Sequence, residues 1–263
     1  MRFAFSSKVL GAVERVVPRR ALQRLINPPG QSLTRLVQYL HREPSKTLAD
    51  YQQELLNDDV LRERYFEVVQ KGWLPKVFHS WEDRFGDLYR RGLGISWYYA
   101  MIRELKPQRI IETGTAAGTA TSIILSAIAH NGSGKLISID LPAVRGENTM
   151  DWSLPEGQNA GLLIPEAYRR YWELRVGDAK DLLIPALREA PCDLFIHDSL
   201  HTYEHMLWEY VTAFLNMKDG AIILSDDTFW NRAWWDFTRL FDLQRFQDLS
   251  NPNLGVTVVR HHY

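Results

Sequence analysis

Between residues 109 and 227 one texture recurs along the chain: a short apolar run that closes on an acid, then a stretch with helical spacing. "RIIET" closes around Glu112, "KLISID" on Asp140, "ELRVGD" on Asp178, "CDLFIHD" on Asp198 and "GAIILSDD" on Asp226 and Asp227. Apolar runs this short are buried strands, and strands alternating with helices build a parallel, doubly wound α/β sheet. The tail segments "FQDL" and "LGVTVVRHH" read as a closing pair of strands. In such a sheet a ligand sits at the carboxyl ends of the strands, beside the point where strand order reverses. A single strand-end aspartate has an ordinary use as a turn or helix cap. Six acids at successive strand ends point instead to a binding site.

The first of these ends continues into "ETGTAAGT", which brings Gly114 and Gly118 to the start of the helical stretch "ATSIILSAIAH". Bare N–H groups at a helix start favour an anionic group. The loop is not the dinucleotide pattern G-x-G-x-x-G, because Glu112 and Ala116 stand where glycines are expected, and it lacks the lysine of a phosphate loop. An acid placed before the glycines suits a ligand with a cationic amine. S-adenosylmethionine carries an amino and a carboxyl group and no phosphate.

With these motifs in order, the chain from about Arg109 to Arg260 resembles class I S-adenosylmethionine-dependent methyltransferases. The resemblance implies a Rossmann-like, mostly parallel seven-stranded sheet behind an N-terminal helical extension. It implies that Glu112, Gly114, Thr115 and Gly118 hold the methionine part of the cofactor, that Asp140 binds the ribose hydroxyls, and that Asp178 and Ala179 contact the adenine. Ala120 stands where related enzymes often carry a serine, which leaves Thr119 or Thr121 for that contact.

"FIHDSLH" and "LSDD" are similar to the fourth and fifth strand ends of metal-dependent O-methyltransferases, such as those acting on catechols and on macrolide sugars. This implies that Asp198, Asp226 and Asp227 hold Mg2+ or Mn2+, with Asp198 also beside the cofactor. The electrostatics agree: at an effective dielectric near 20, unit charges about 4 Å apart repel by roughly 4 kcal/mol, so clustered carboxylates need a cation or a proton. Oxygen ligands favour magnesium or manganese over zinc. His201, three residues beyond Asp198 and expected on a helix that starts just after it, is the candidate general base.

The same stretch spells H-x-x-E-H with His201, Glu204 and His205, the inverted zinc-peptidase pattern. That reading leaves "ETGTAAGT", "GDA" and "SDD" without a role, so it is set aside. His197 and His205 are read as structural. A catalytically silent nucleoside-binding subunit of the same fold is the competing class, and the intact set of Asp198, His201, Asp226 and Asp227 argues against it.

Composition bounds the rest. At 263 residues with 45% hydrophobic content, the chain can bury a full core, and no apolar run approaches bilayer length. The opening "MRFAFSSKVLGAVERVV" is interrupted by Lys8, Glu14 and Arg15 and does not read as a secretory signal. The one cysteine, Cys192, forbids an internal disulfide, reads as core, and fits a reducing cytoplasm. The net charge of -1 conceals a basic arm: eight Lys and Arg through Arg42 against Glu14 alone, leaving the remainder acidic.

The arm reads as helices packed on the main domain or on a second subunit, with peripheral membrane contact as the second reading. No basic, aromatic-laced stripe continues beyond it, so nucleic acid is not an expected partner. Residues 1–90 are taken as a helical extension, with one helical stretch from about 46, and 91–263 as the methyltransferase domain. The expected acceptor is a small-molecule or glycan hydroxyl, a sugar ahead of a phenol, with Trp152, Trp230, Trp234 and Trp235 as a candidate aromatic wall.

Overall fold

The computed structural model describes residues 31–73, 95–141, 154, 158–248 and 251–261. Most of the basic arm, Trp152 and the expected boundary at residue 90 lie outside the described residues. The extension contributes α1 (Gln31–Tyr39), α2 (Leu48–Leu56) and α3 (Asp59–Gln70), and α4 (Ile95–Leu105) leads into the sheet. Among the described residues no helix is long and apolar enough to cross a membrane.

The stretch expected to be one helix from about residue 46 is two. Thr47 and Asp50 form a reciprocal capping box that starts α2. Asp58 then takes an extended backbone and accepts the Leu61 N–H at 2.9 Å, which stops α2 and starts α3. The apolar spacing runs through this break, but a buried carboxylate with a local donor prefers the cap. Asp58 also accepts the Tyr168 hydroxyl at 2.7 Å and a bond from Ser126, so the break is fastened to the sheet domain. Leu36, Leu55, Tyr65 and Val68 of the extension share one apolar core with Ile110, Leu194 and Leu224 of the sheet.

The sheet is built from β1 (Arg109–Thr113), β2 (Lys135–Asp140), β3 (Trp172–Val176), β4 (Leu194–His197), β5 (Ile222–Ser225), β6 (Arg245–Asp248) and β7 (Asn251–Val258). Their order is β3-β2-β1-β4-β5-β7-β6. β1 to β5 pair in parallel, and β7 runs antiparallel between β5 and β6. The expected seven-stranded, mostly parallel sheet is thus present, and its order reverses between β1 and β4. The helices α5 (Thr119–Asn131), α6 (Ala179–Glu189), α7 (Tyr203–Asn216) and α8 (Ala233–Leu240) cover it.

Strand alternation sorts the side chains into two faces. Ile110, Leu136, Leu194, Ile196, Ile222 and Leu224 pack against α4 and α5, and this parity carries Glu112, Ser138, Asp140, Asp198 and Asp226 to the same side. Ile111, Ile137, Phe195 and Ile223 pack against α6, α7 and α8, and their parity carries Thr113, His197 and Ser225.

Glu54 fastens α2 to α4: it accepts from Arg103 Nε at 2.5 Å, the Tyr99 hydroxyl at 2.7 Å and Lys46 Nζ at 2.8 Å. Burial pushes its carboxyl up, but these three donors outweigh it and hold the group at about 2. A carboxylate depressed in the folded state stabilises above its unfolded pKa near 4.5, and that contribution is lost as pH falls toward 2. Glu54→Gln should therefore cost about 1–3 kcal/mol at pH 7. Denaturant titrations should show the gap to the parent narrowing as pH falls from about 5.

Candidate active site

The strand-end acids differ in their surroundings. Glu112 is fully buried and accepts the Ser138 hydroxyl at 2.6 Å and the Thr121 hydroxyl at 3.0 Å. Trp172 Nε1 in turn donates to Ser138 Oγ at 2.9 Å. Burial pushes the Glu112 carboxyl up to about 8, the two hydroxyls lower it, and Asp140 adds to the rise. Thr121 is thereby committed to Glu112. Asp140 accepts the Ala116 N–H at 3.2 Å, which ties the end of β2 to the first loop, and burial raises its pKa. Asp178 is exposed and caps α6 through the Lys180 N–H at 2.8 Å, with Ala179 as the first residue of that helix.

The two glycines of the first loop are required by close backbone approach. Gly114 has φ +86, and a Cβ there would stand 1.9 Å from the Asp198 carbonyl oxygen. Gly118 has φ +85 and caps α5 with no side chain, and a Cβ there would stand 2.9 Å from the Gly161 Cα. The segment around Gly161 roofs the loop by hydrogen bonds from Gly161 N–H to Ala116 and from Leu163 N–H to Ala117.

Asp198, Asp226 and Asp227 come near one another at the ends of β4 and β5. Burial raises the Asp198 carboxyl most, and the charges of Asp226, Glu112, Asp227 and Asp140 raise it further. Asp226 is pushed up to about 6 by burial and by Asp227. Asp227 has φ +50 and a raised pKa from burial, partly relieved by a hydrogen bond from the Trp230 side chain. Among the described residues, no three His, Cys, Asp or Glu side chains are gathered in the arrangement of a metal cage.

The helix after Asp198 begins later than expected. Thr202 is its cap, accepting the His205 N–H, and α7 starts at Tyr203, so His201 lies in the preceding loop. Its ring still reaches the site: Nε2 is 3.7 Å from Asp227 Oδ2, and Trp230 stacks on it with centroids 5.6 Å apart. Burial, aided by the charge of His197, lowers the His201 pKa to about 4. This replaces the ordinary histidine value near 6.5 on which a base titrating close to neutrality would depend.

His197 and His205 face a different group, Glu209, which the sequence reading passed over. Glu209 is fully buried on α7 and accepts from His197 Nδ1 at 2.5 Å, Thr113 Oγ1 at 2.6 Å, His205 Nε2 at 2.8 Å and Ser199 Oγ at 2.9 Å. Burial raises its carboxyl, but these donors pull it down to about 2. His201 and His205 therefore point at different carboxylates, and the inverted peptidase arrangement does not form. A signal existed: Glu209 falls on the stripe of Met206, Tyr210 and Ala213, where an acid is out of place on an apolar face.

The tryptophans divide. Trp234 is fully buried against Tyr210 and Gly255 and belongs to the core, whereas Trp230 is 70% exposed above His201. Trp235 is partly exposed and carries the Arg245 guanidinium 4.2 Å over its ring. Cys192 is buried, and burial pushes its thiol up to about 12. Among the described residues, the buried polar atoms lacking a hydrogen-bond partner are Tyr98 Oη, Thr115 Oγ1, His197 Nε2, His201 Nε2 and Trp234 Nε1. Thr115 lies in the loop after β1 and His201 adjoins Asp227, so unmet hydrogen-bonding capacity stands at both places.

Residues 111–228 match the family described as Methyltransferase domain. This stretch of the chain is a methyltransferase domain. It runs from the strand bearing Glu112 through the Asp226–Asp227 pair. No curated protein matches the sequence. Among solved structures, cofactor-bound Rv0187 from MTB is similar at 14% identity and a TM-score of 0.50, over 78% of this chain and 92% of that one. The SAH-bound Podospora anserina methyltransferase PaMTH1 is similar at 14% identity and a TM-score of 0.51, over 77% of this chain and 88% of that one. These likenesses show the methyltransferase fold.

In the ligand-free methyltransferase domain Glu112, at about 8, is mostly protonated at pH 7. A ligand ammonium placed against it would restore the carboxylate and expel the proton. Binding of S-adenosylhomocysteine should then release about one proton near pH 7. Calorimetry in buffers of different ionisation enthalpy measures this release, and Glu112→Gln should remove most of it.

Proposed function

We propose that the protein is an S-adenosylmethionine-dependent O-methyltransferase that works with a divalent cation on a hydroxyl of a small molecule, a sugar or glycan ahead of a phenol. The observation that supports this reading is the placing of Asp198 after β4 and of Asp226 and Asp227 after the adjacent β5. There their charges act on one another and His201 Nε2 stands 3.7 Å from Asp227, although the three side chains are not drawn into a metal cage. Their carboxyls raise one another's pKa, so the site favours positive charge, and an all-oxygen donor set suits a hard ion such as magnesium. Such an ion binds and acidifies hydroxyls, which is why the acceptor atom is assigned as oxygen.

The roles divide between the two halves. Glu112, Gly114, Thr115 and Gly118 hold the amino-acid end of the cofactor, Asp140 its ribose, and Asp178 with Ala179 the adenine. Asp198, Asp226 and Asp227 would hold the cation, which would lower the pKa of the acceptor hydroxyl. His201 would accept the hydroxyl proton as the acceptor oxygen bonds in line to the methyl carbon, while the methyl–sulfur bond breaks with its electron pair kept by sulfur and S-adenosylhomocysteine departs. The low pKa of His201 keeps it neutral and ready at pH 7, and Asp227 stands near to stabilise the imidazolium that forms. The exposed face of Trp230 supplies a stacking platform for a sugar ring or an aryl group.

The cation is tested first. Turnover of S-adenosylmethionine over glycan and catechol panels, read by mass spectrometry, should stop in chelator and return with magnesium. Full activity in chelator would assign the acid cluster to structure alone. The base is tested by His201→Ala, which should lower kcat by roughly 10²- to 10⁴-fold while S-adenosylhomocysteine affinity stays near that of the parent. Loss of kcat in His205→Ala with His201→Ala intact would show the base to be misassigned.

A further inference from the structure

The hydroxyls of Tyr99, Tyr51, Tyr168 and Tyr210 each meet a partner: Glu54 at 2.7 Å, Glu104 at 2.9 Å, Asp58 at 2.7 Å and Ser225 at 2.6 Å. Tyr98, on α4 and 1% exposed, has none. A buried hydroxyl without a partner is destabilising, and such groups persist where something outside the chain completes them. α4 packs on the sheet face that carries Glu112, Asp198 and Asp226 at its carboxyl edge. The charges of Asp226, Asp198, Glu112 and Asp227 all act on Tyr98, so its hydroxyl lies within reach of the acidic edge of the sheet. Burial and those charges raise its pKa far above the ordinary phenol value, so it remains a neutral donor.

We propose that the Tyr98 hydroxyl is a cofactor-binding group, donating a hydrogen bond to the carboxylate at the amino-acid end of the bound cofactor. The assignment rests on the cofactor reading above, with the ligand's ammonium against Glu112. The carboxylate is borne on the same carbon as the ammonium, so it lies beside Glu112 on the face that α4 covers. An anion brought among carboxyl groups needs neutral donors. Thr121 and Ser138 cannot supply them, since both hydroxyls are committed to Glu112. The buried hydroxyls without a partner among the described residues are Tyr98 and Thr115.

The test is Tyr98→Phe, which keeps the ring and removes one oxygen. Because that oxygen has no partner in the ligand-free protein, the thermal midpoint should be unchanged or higher. Affinity for S-adenosylhomocysteine, measured by calorimetry, should fall roughly 10- to 100-fold, as for loss of a hydrogen bond to a charged group. Affinity for 5′-methylthioadenosine, which lacks the whole amino-acid end, should not change. Tyr99→Phe is the control: it breaks the bond to Glu54, so it should lower the midpoint and leave both affinities alone. Unchanged S-adenosylhomocysteine binding in Tyr98→Phe, or equal weakening of both ligands, overturns the assignment. If the parent protein binds neither ligand, the cofactor reading itself fails and this inference falls with it.

Discussion

Concentration of carboxyl groups along one edge of an apolar sheet face is the constraint on which the rest depends. Glu112, Asp140, Asp198 and Asp226 arrive there because strand parity gives them no other side to occupy, and their neighbours in each strand are core residues. Burial then acts on all four in the same direction, raising each carboxyl above its ordinary range. Glu112, pushed up to about 8, holds a proton at pH 7 that a positively charged ligand would displace. A sulfonium cofactor with an ammonium group and a divalent cation are both suited to that exchange.

The opposite face solves the reverse problem with a single carboxylate. Glu209 gathers hydrogen bonds from Thr113, His197, Ser199 and His205, and it lies low on its titration scale for that reason. Two of these partners, His197 and Ser199, flank Asp198 in sequence, so the acid at the end of β4 is held from both sides. His201 is the next polar residue along that loop. Its place against Asp227 depends on the anchoring of the residues before it and on the Thr202 cap after it.

How much of this was legible in the sequence follows from which interactions are local. The strands and their terminal acids were readable, because a short apolar run ending in a charge has one economical placement in a doubly wound sheet. The start of α7 was not: Ser199 and Thr202 are both competent caps, and the choice of Thr202 moved His201 into the loop. The break at Asp58 was masked by apolar spacing that continues through it, and its cause, donors from Tyr168 and Ser126, lies far along the chain. Trp230 and Trp234 look alike in "TFWNRAWWDF", and only the start of α8 at Ala233 turns one into the core and leaves the other over the site. The unmet hydroxyl of Tyr98 has no sequence signature, since its neighbour Tyr99 is satisfied.

The contact between Gly114 and the Asp198 carbonyl carries a consequence for how such a site can diversify. The loop that would cradle the cofactor and the strand end that would hold the cation meet backbone to backbone, with no room for one extra carbon. Their spacing is set by main chain, like two marks scribed on one ruler. Substitutions at the exposed residues Leu200, Tyr203, Phe229 and Trp230, which lie in the segments after β4 and β5, would therefore leave that backbone spacing unchanged. In the proposed enzyme, a change of acceptor preference would in this respect be uncoupled from the geometry of transfer.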